Sequence, residues 1–154
     1  MKDFKQYCKS YSGIDGGDIN AKYWFVGIEW SNHNDTEYRN KEWNPPKNIT
    51  GITIEDSDDW NFEKRLEKIY QNLDGAKGKK IFSENSNSLK LNLLPLPFKN
   101  FDEHADFKRI YYDKTGFKTY KEYVNGILSL RGDLFSELLK KGTEKKIVFC
   151  FGLT

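Results

Sequence analysis

The sequence predicts an α/β fold: a parallel sheet with helices on both faces, an α-β-α sandwich. Three observations carry the prediction. Short apolar runs occur at residues 23–28 (Tyr-Trp-Phe-Val-Gly-Ile), 89–94 (Leu-Lys-Leu-Asn-Leu-Leu) and 147–151 (Ile-Val-Phe-Cys-Phe). The first and third are nearly continuous, as in strands buried on both faces of a parallel sheet. Helical patterns separate the runs, and strands that alternate with helices favour parallel pairing through right-handed crossovers.

The elements follow in order. An N-terminal helix over residues 2–10 turns Phe4, Tyr7 and Cys8 inward. The strand at 23–28 comes next, with Gly27 as its breaker. Residues 31–59 form a long, polar, irregular stretch containing Asn44-Pro45-Pro46, and loops of that length are usually functional or disordered. Asp58-Asp59 can cap a helix that runs to about residue 72. Its apolar positions Phe62, Leu66, Ile69, Tyr70 and Leu73 recur at helical spacing, and Gly75 stops it. The strand at 89–94 ends at Pro95. A stronger helix spans about 118–141, traced by Tyr120, Tyr123, Val124, Ile127, Leu128, Arg131, Leu134, Phe135 and Leu138, with Gly126 and Gly132 as points where it can divide. The last strand stops at Phe151 and the chain three residues later. An apolar inner strand is an unusual terminus, since chain ends normally lie on the surface. The expectation is therefore one α/β domain over residues 1–154, either the N-terminal fragment of a longer chain or a small three-stranded domain that ends on its last strand.

Composition narrows the class. A chain of 154 residues buries enough surface to hold a core without disulfides or metals. No apolar run approaches the ~20 residues of a membrane span, and the N-terminus lacks the apolar core of a signal peptide. Cys8 and Cys150 lie far apart without metal-ligand spacing. That excludes a disulfide framework and a cysteine zinc site, and points to a reducing, cytoplasmic setting. Lys and Arg number 25 against 23 Asp and Glu, a net charge of +2. Such a balance does not by itself call for a polyanionic partner. Neither a Gly-x-x-x-x-Gly-Lys-Ser/Thr phosphate loop nor a His-Glu-x-x-His motif occurs. Asp15-Gly16-Gly17-Asp18 reads as a carboxylate-rich turn that mainly exposes charge. No metal and no organic cofactor is expected.

Ligands of open α/β sheets bind outside the carboxyl ends of the strands. Residues 27–32, 92–98 and 152–154 are the candidates. Glu29 follows Gly27-Ile28 at the rim of a buried strand, where partial burial raises a carboxylate's pKa and suits it to general-base work; the plainer role is a helix cap or a partner for lysine. Asn92 is an amide inside an apolar run. A buried amide must satisfy its hydrogen bonds, either on a loop backbone or on the donor and acceptor of a nucleobase edge. Trp30 and Phe98 have polar or loop-like neighbours and suit stacking on a base, as do Trp43 and Trp60, whereas Trp24, Phe25 and Phe149 read as core. Lys77, Lys79 and Lys80 form a basic cluster that touches phosphates or only solvates a strand end.

The segments Val26-Gly27-Ile28-Glu29-Trp30 and Leu91-Asn92 with Leu94-Pro95-Leu96-Pro97, in this order, resemble the uracil-DNA glycosylase superfamily. There the first strand ends in a Gly-x-Asp/Asn-Pro type motif whose third residue positions the attacking water, and a later strand carries an Asn that reads the flipped base. The run 147–152 resembles the family's third inner strand. The resemblance spans residues 16–154. It departs at Glu29, where Asp or Asn is usual, and at Trp30, where Pro is usual. The family's His-containing loop would follow the last strand, and neither His33 nor His104 matches it.

The resemblance implies hydrolysis of the N-glycosidic bond of a flipped nucleobase in DNA. Glu29 would activate water, Asn92 would bond the base, Trp30 or Phe98 would stack on it, and Lys77, Lys79 and Lys80 would meet the backbone. The partner is nucleic acid or a nucleotide-like ligand, not a membrane. The alternatives are a non-catalytic nucleic-acid or nucleotide-binding domain of the same fold, and an unrelated small-molecule hydrolase.

Overall fold

The computed structural model describes residues 2–28, 61–83, 86–96, 98, 102–141 and 145–151. The elements are α1 (Lys2–Cys8), β1 (Ile14–Gly17), β2 (Tyr23–Gly27), α2 (Asn61–Tyr70), β3 (Ser88–Asn92), α3 (Asp102–Ala105), α4 (Phe107–Thr115), α5 (Tyr120–Lys140) and β4 (Ile147–Phe151). The fold is mixed α/β. Its four-stranded sheet has the order β1-β3-β2-β4. The three expected strands are adjacent and parallel, with β2 between β3 and β4.

The fourth strand, β1, was not expected. It runs antiparallel to β3, with a bulge between Ile14 and Gly16. The carboxylate-rich turn read from the sequence is thus mostly strand: Gly16 pairs with Lys90 and Gly17 with Leu89. Only glycine fits at 17. Its φ is +95°, and a Cβ there would collide with the Ser88 carbonyl. Asp18 then closes the exit by accepting the Asn20 N–H (2.8 Å).

Strand alternation sorts the sheet into two faces. On one, Tyr23 and Phe25 pack with Leu66 and Tyr70 of α2 and with Ala76, Ile81 and Phe82; Phe149 and Phe151 adjoin this cluster. On the other, Ile14, Trp24, Val26, Leu89 and Leu91 pack with Leu138 of α5. A third cluster joins Phe4 and Cys8 of α1, Leu94, Leu96 and Phe98 after β3, and Phe107, Tyr111, Tyr123 and Ile127 of α4 and α5.

Helix α5 runs unbroken through Gly126 and Gly132. Its start is held by a capping box: Thr119 Oγ1 accepts the Glu122 N–H (3.1 Å), and Glu122 reaches back to the Lys118 N–H (2.9 Å). Gly126 marks a close approach, not a break. A Cβ there would lie 2.6 Å from two atoms of the Phe117 ring. Further along, Arg131 is fully buried. Its guanidinium donates to Cys8 O (3.0 Å), Ser12 Oγ (3.1 Å) and Ser12 O (2.7 Å), and lies 4.9 Å from the Phe135 ring centroid. This fork ties α5 to the turn between α1 and β1.

Strand β4 corrects the reading of an inner strand buried on both faces. Among the described residues it pairs with β2 alone and lies at the edge of the sheet, with Ile147 and Val148 each 43% exposed. A continuous apolar run carries the same local signal in the middle of a sheet and at its edge; the strand order decides which it becomes.

Candidate functional site

Register sets Gly27, Asn92 and Phe151 level at the carboxyl ends of the three parallel strands. Pairing continues beyond the strands. The Leu93 N–H donates to Gly27 O (2.9 Å) and the Leu94 N–H to Ile28 O (2.8 Å). The backbone of residues 27–28 therefore leaves the sheet bonded to the chain that follows Asn92. Glu29 and Trp30 come directly after Ile28 and lie outside the described residues, as do His33, Trp43 and Trp60.

All five residues of β3 are buried, yet only one face is apolar. Leu89 and Leu91 enter the core shared with α5, whereas Ser88, Lys90 and Asn92 fall on the opposite face. The result is a polar file on a central strand. Ser88 belongs to the scaffold: its Oγ accepts the Phe82 N–H (2.8 Å) and shares a hydrogen bond with Ser86 Oγ (2.8 Å). Asn92 is 3% exposed, and its backbone N–H donates to Gly13 O (2.6 Å). That bond anchors the turn before β1 at the strand end.

Lys90 is the residue that sequence reasoning passed over. At 8% exposure it sits between Gly16 and Phe25 in the register. Gly16 offers no side chain, which leaves a lane on this face for a long one. Lysine is almost never buried unless its charge is compensated, and Lys90 lies one pleat from Asn92, about 6.6 Å along the strand. A lysine alternating with leucines in residues 89–91 was the signal that could have found it.

Phe98 is not a free stacking platform. It is 3% exposed and its ring packs against those of His104, Tyr111, Tyr120, Phe107 and Tyr123, with centroids 4.8–6.1 Å away. It fills the third core cluster, because the chain after Pro95 turns beneath α4 and α5 instead of staying at the surface. His104 stacks flat on Tyr120 (3.7 Å between centroids, 7° between planes).

Lys77, Lys79 and Lys80 are exposed, but they are not at this site. Tyr23 Oη donates to Asp74 O (3.0 Å), which holds their segment at the start of β2, the opposite end of the sheet from Asn92. The structure therefore sets these lysines apart from Asn92.

Two thiols complete the inventory. Cys150 is exposed, whereas burial pushes the Cys8 thiol up to about 12, partly offset by the Arg131 charge. Among the described residues no group of three or more His, Cys, Asp or Glu is placed to hold a metal ion, and no helix is long and apolar enough to cross a membrane. No family model, curated protein or solved structure matches this chain.

Proposed function

We propose that this protein is a uracil-DNA glycosylase-like α-β-α domain that binds a nucleobase at the carboxyl ends of its parallel strands and hydrolyses its N-glycosidic bond. One observation carries the reading: Asn92, a buried amide on the polar face of β3, lies level with Gly27, two residues before the only carboxylate in the Gly27-Ile28-Glu29 run. In the reaction, a water oxygen bonds to the anomeric carbon while the carbon–nitrogen bond breaks and its electron pair leaves on the base. Glu29 takes the proton from water. Asn92 bonds the base edge, Trp30 stacks on the ring, and Lys90 supplies positive charge near the departing base. Phe98 has no direct role; it supports the chain that carries Asn92.

The test is release of free base from uracil-containing single strands, which need no unpairing and so lower the cost of extrusion. Glu29→Gln should slow release by about 10²–10⁴-fold, the usual worth of a general base. Asn92→Ala should chiefly weaken discrimination between bases, since a pocket built to hydrogen-bond one edge is left with unpaired groups. Binding of the oligonucleotide without any base release would replace this reading with the non-catalytic one.

A further inference from the structure

The two edges of the sheet are built differently. β1, at one edge, is a short strand with two glycines and a bulge between Ile14 and Gly16. Short, bulged strands blunt an edge against further pairing. β4, at the other edge among the described residues, has none of these devices. Its five residues, Ile147–Phe151, keep an unbroken parallel register with β2 and include no proline, glycine or charge. Ile147, Val148 and Cys150 are exposed.

One bond fixes which way the backbone groups of β4 point. The Ile147 N–H donates to Lys22 O (2.7 Å), so along the parallel ladder the N–H and C=O of Ile147, Phe149 and Phe151 turn toward β2. Those of Val148 and Cys150 turn outward, and among the described residues no strand lies beyond them. Side chains alternate as well. Phe149 and Phe151 stack on Phe25 on the α2 face, with ring centroids 5.1 and 6.2 Å away. Val148 and Cys150, level with Trp24 and Val26, fall on the α5 face. A strand that fits this edge must therefore present apolar residues on both of its faces, and β4 itself meets that demand.

We propose that β4 pairs antiparallel with β4 of a second copy of this chain, about a two-fold axis at Phe149, joining the two sheets into one. This register pairs every residue of the strand. Val148 of each copy faces Cys150 of the other, so the outward donors and acceptors of both residues meet in hydrogen-bonded pairs. Phe149 meets Phe149, and Ile147 meets Phe151, on the α2 face; aromatic and β-branched pairs of this kind stabilise sheets. Charge sets the direction. Lys145 and Lys146 precede the strand. Antiparallel pairing keeps the lysines of the two copies at opposite ends, whereas parallel pairing would bring them side by side. The bulged β1 offers no matching edge for head-to-tail growth, so the assembly closes as a dimer. The inference holds whatever the strand-end site binds.

Sedimentation equilibrium of the full chain in the high-micromolar range tests it, and a dimer is expected. A bis-maleimide with a short spacer should link that dimer through Cys150, since diagonal neighbours on one face of an antiparallel pair lie about 7–8 Å apart and Cys8 is buried. This link is read on the wild-type chain and does not depend on any variant folding. Val148→Lys puts a charge into the pair, and Cys150→Pro removes only an outward N–H, which edge strands tolerate. Both should keep the fold of the monomer, read from the fluorescence of the buried Trp24. Both should weaken association about tenfold or more, because each substitution enters a two-fold interface twice. Val148→Thr, which keeps strand propensity, should associate as the wild type does. A chain that stays monomeric across this range, whatever other strand it binds, would overturn the proposal. So would a dimer that Cys150 does not link, or wild-type association in the folded variants.

Discussion

Arg131 gives the sharpest test of how the fold is held. Its guanidinium makes three hydrogen bonds to the turn between α1 and β1 and none of its surface reaches solvent. In Arg131→Met the apolar stem is replaced but the fork is lost. Cys8 O and Ser12 O, both on buried residues, then lose charged donors. Each hydrogen bond to a charged group is worth about 1.5–3 kcal/mol, and each buried group left unsatisfied costs about 1–3 kcal/mol. Relief from burying a cation offsets part of this, so the expected loss is about 2–4 kcal/mol. For a chain of this size that lowers Tm by about 4–16 °C. Arg131→Lys should lose a similar amount, because one ammonium cannot span two carbonyls in the way a planar fork does. Urea unfolding followed by the fluorescence of the buried Trp24 measures both, and the labelling rate of Cys8 reports the loosened turn. Full stability in the Lys variant would show that charge matters and the fork does not. A Met variant as stable as wild type would remove Arg131 as the tie between α5 and the turn.

The remaining predictions concern packing and pH. Gly126→Ala should cost about 1–3 kcal/mol by overpacking against Phe117, and Phe117→Leu should recover much of it. Gly132→Ala has open space around it and should instead stabilise by about 0.5–1 kcal/mol; calorimetry of the three variants decides. Phe98→Ala should cost about 3–5 kcal/mol. A stable Phe98→Ala protein that only loses base binding would restore Phe98 as a stacking residue. The folded Cys8 thiol holds its proton up to about 12 against an ordinary 9.0, because it is buried. The unfolded state therefore binds fewer protons between those values. Stability should be unaffected by this group below pH 9 and fall as pH rises toward 12, by up to about 1.4 kcal/mol per unit. Tyr70, also raised by burial, adds to the same alkaline loss. Urea titrations at rising pH should show a shallower decline for Cys8→Ala.

The carboxyl end of the sheet carries a buried polar file with Asn92 and Lys90; in the function proposed above, substitutions there should change base release.

The sequence by itself determined the local elements. The nearly continuous apolar runs at 23–27 and 147–151 mark two strands, the 3.6-residue period of 120–140 encodes which side of that helix is apolar, and breakers at Gly27 and Pro95 set where the strands stop. Alternating strands and helices then made parallel pairing the expected outcome, and with it the common level of Gly27 and Asn92. Tertiary structure decided the rest, because those features depend on partners distant in the chain. Residues 14–17, Ile-Asp-Gly-Gly, have little strand propensity; they form β1 because β3 has an open edge and Gly17 alone tolerates the approach to Ser88. Strand order, which no local pattern encodes, left β4 at the edge among the described residues, with Ile147 and Val148 exposed. It also placed the lysines of residues 77–80 at the far end from Asn92 and drew Phe98 into the core. Arg131 shows the same limit. The helical period places it on the apolar face, and only the turn holding Cys8 and Ser12, more than a hundred residues earlier, supplies the carbonyls that let a cation be buried there.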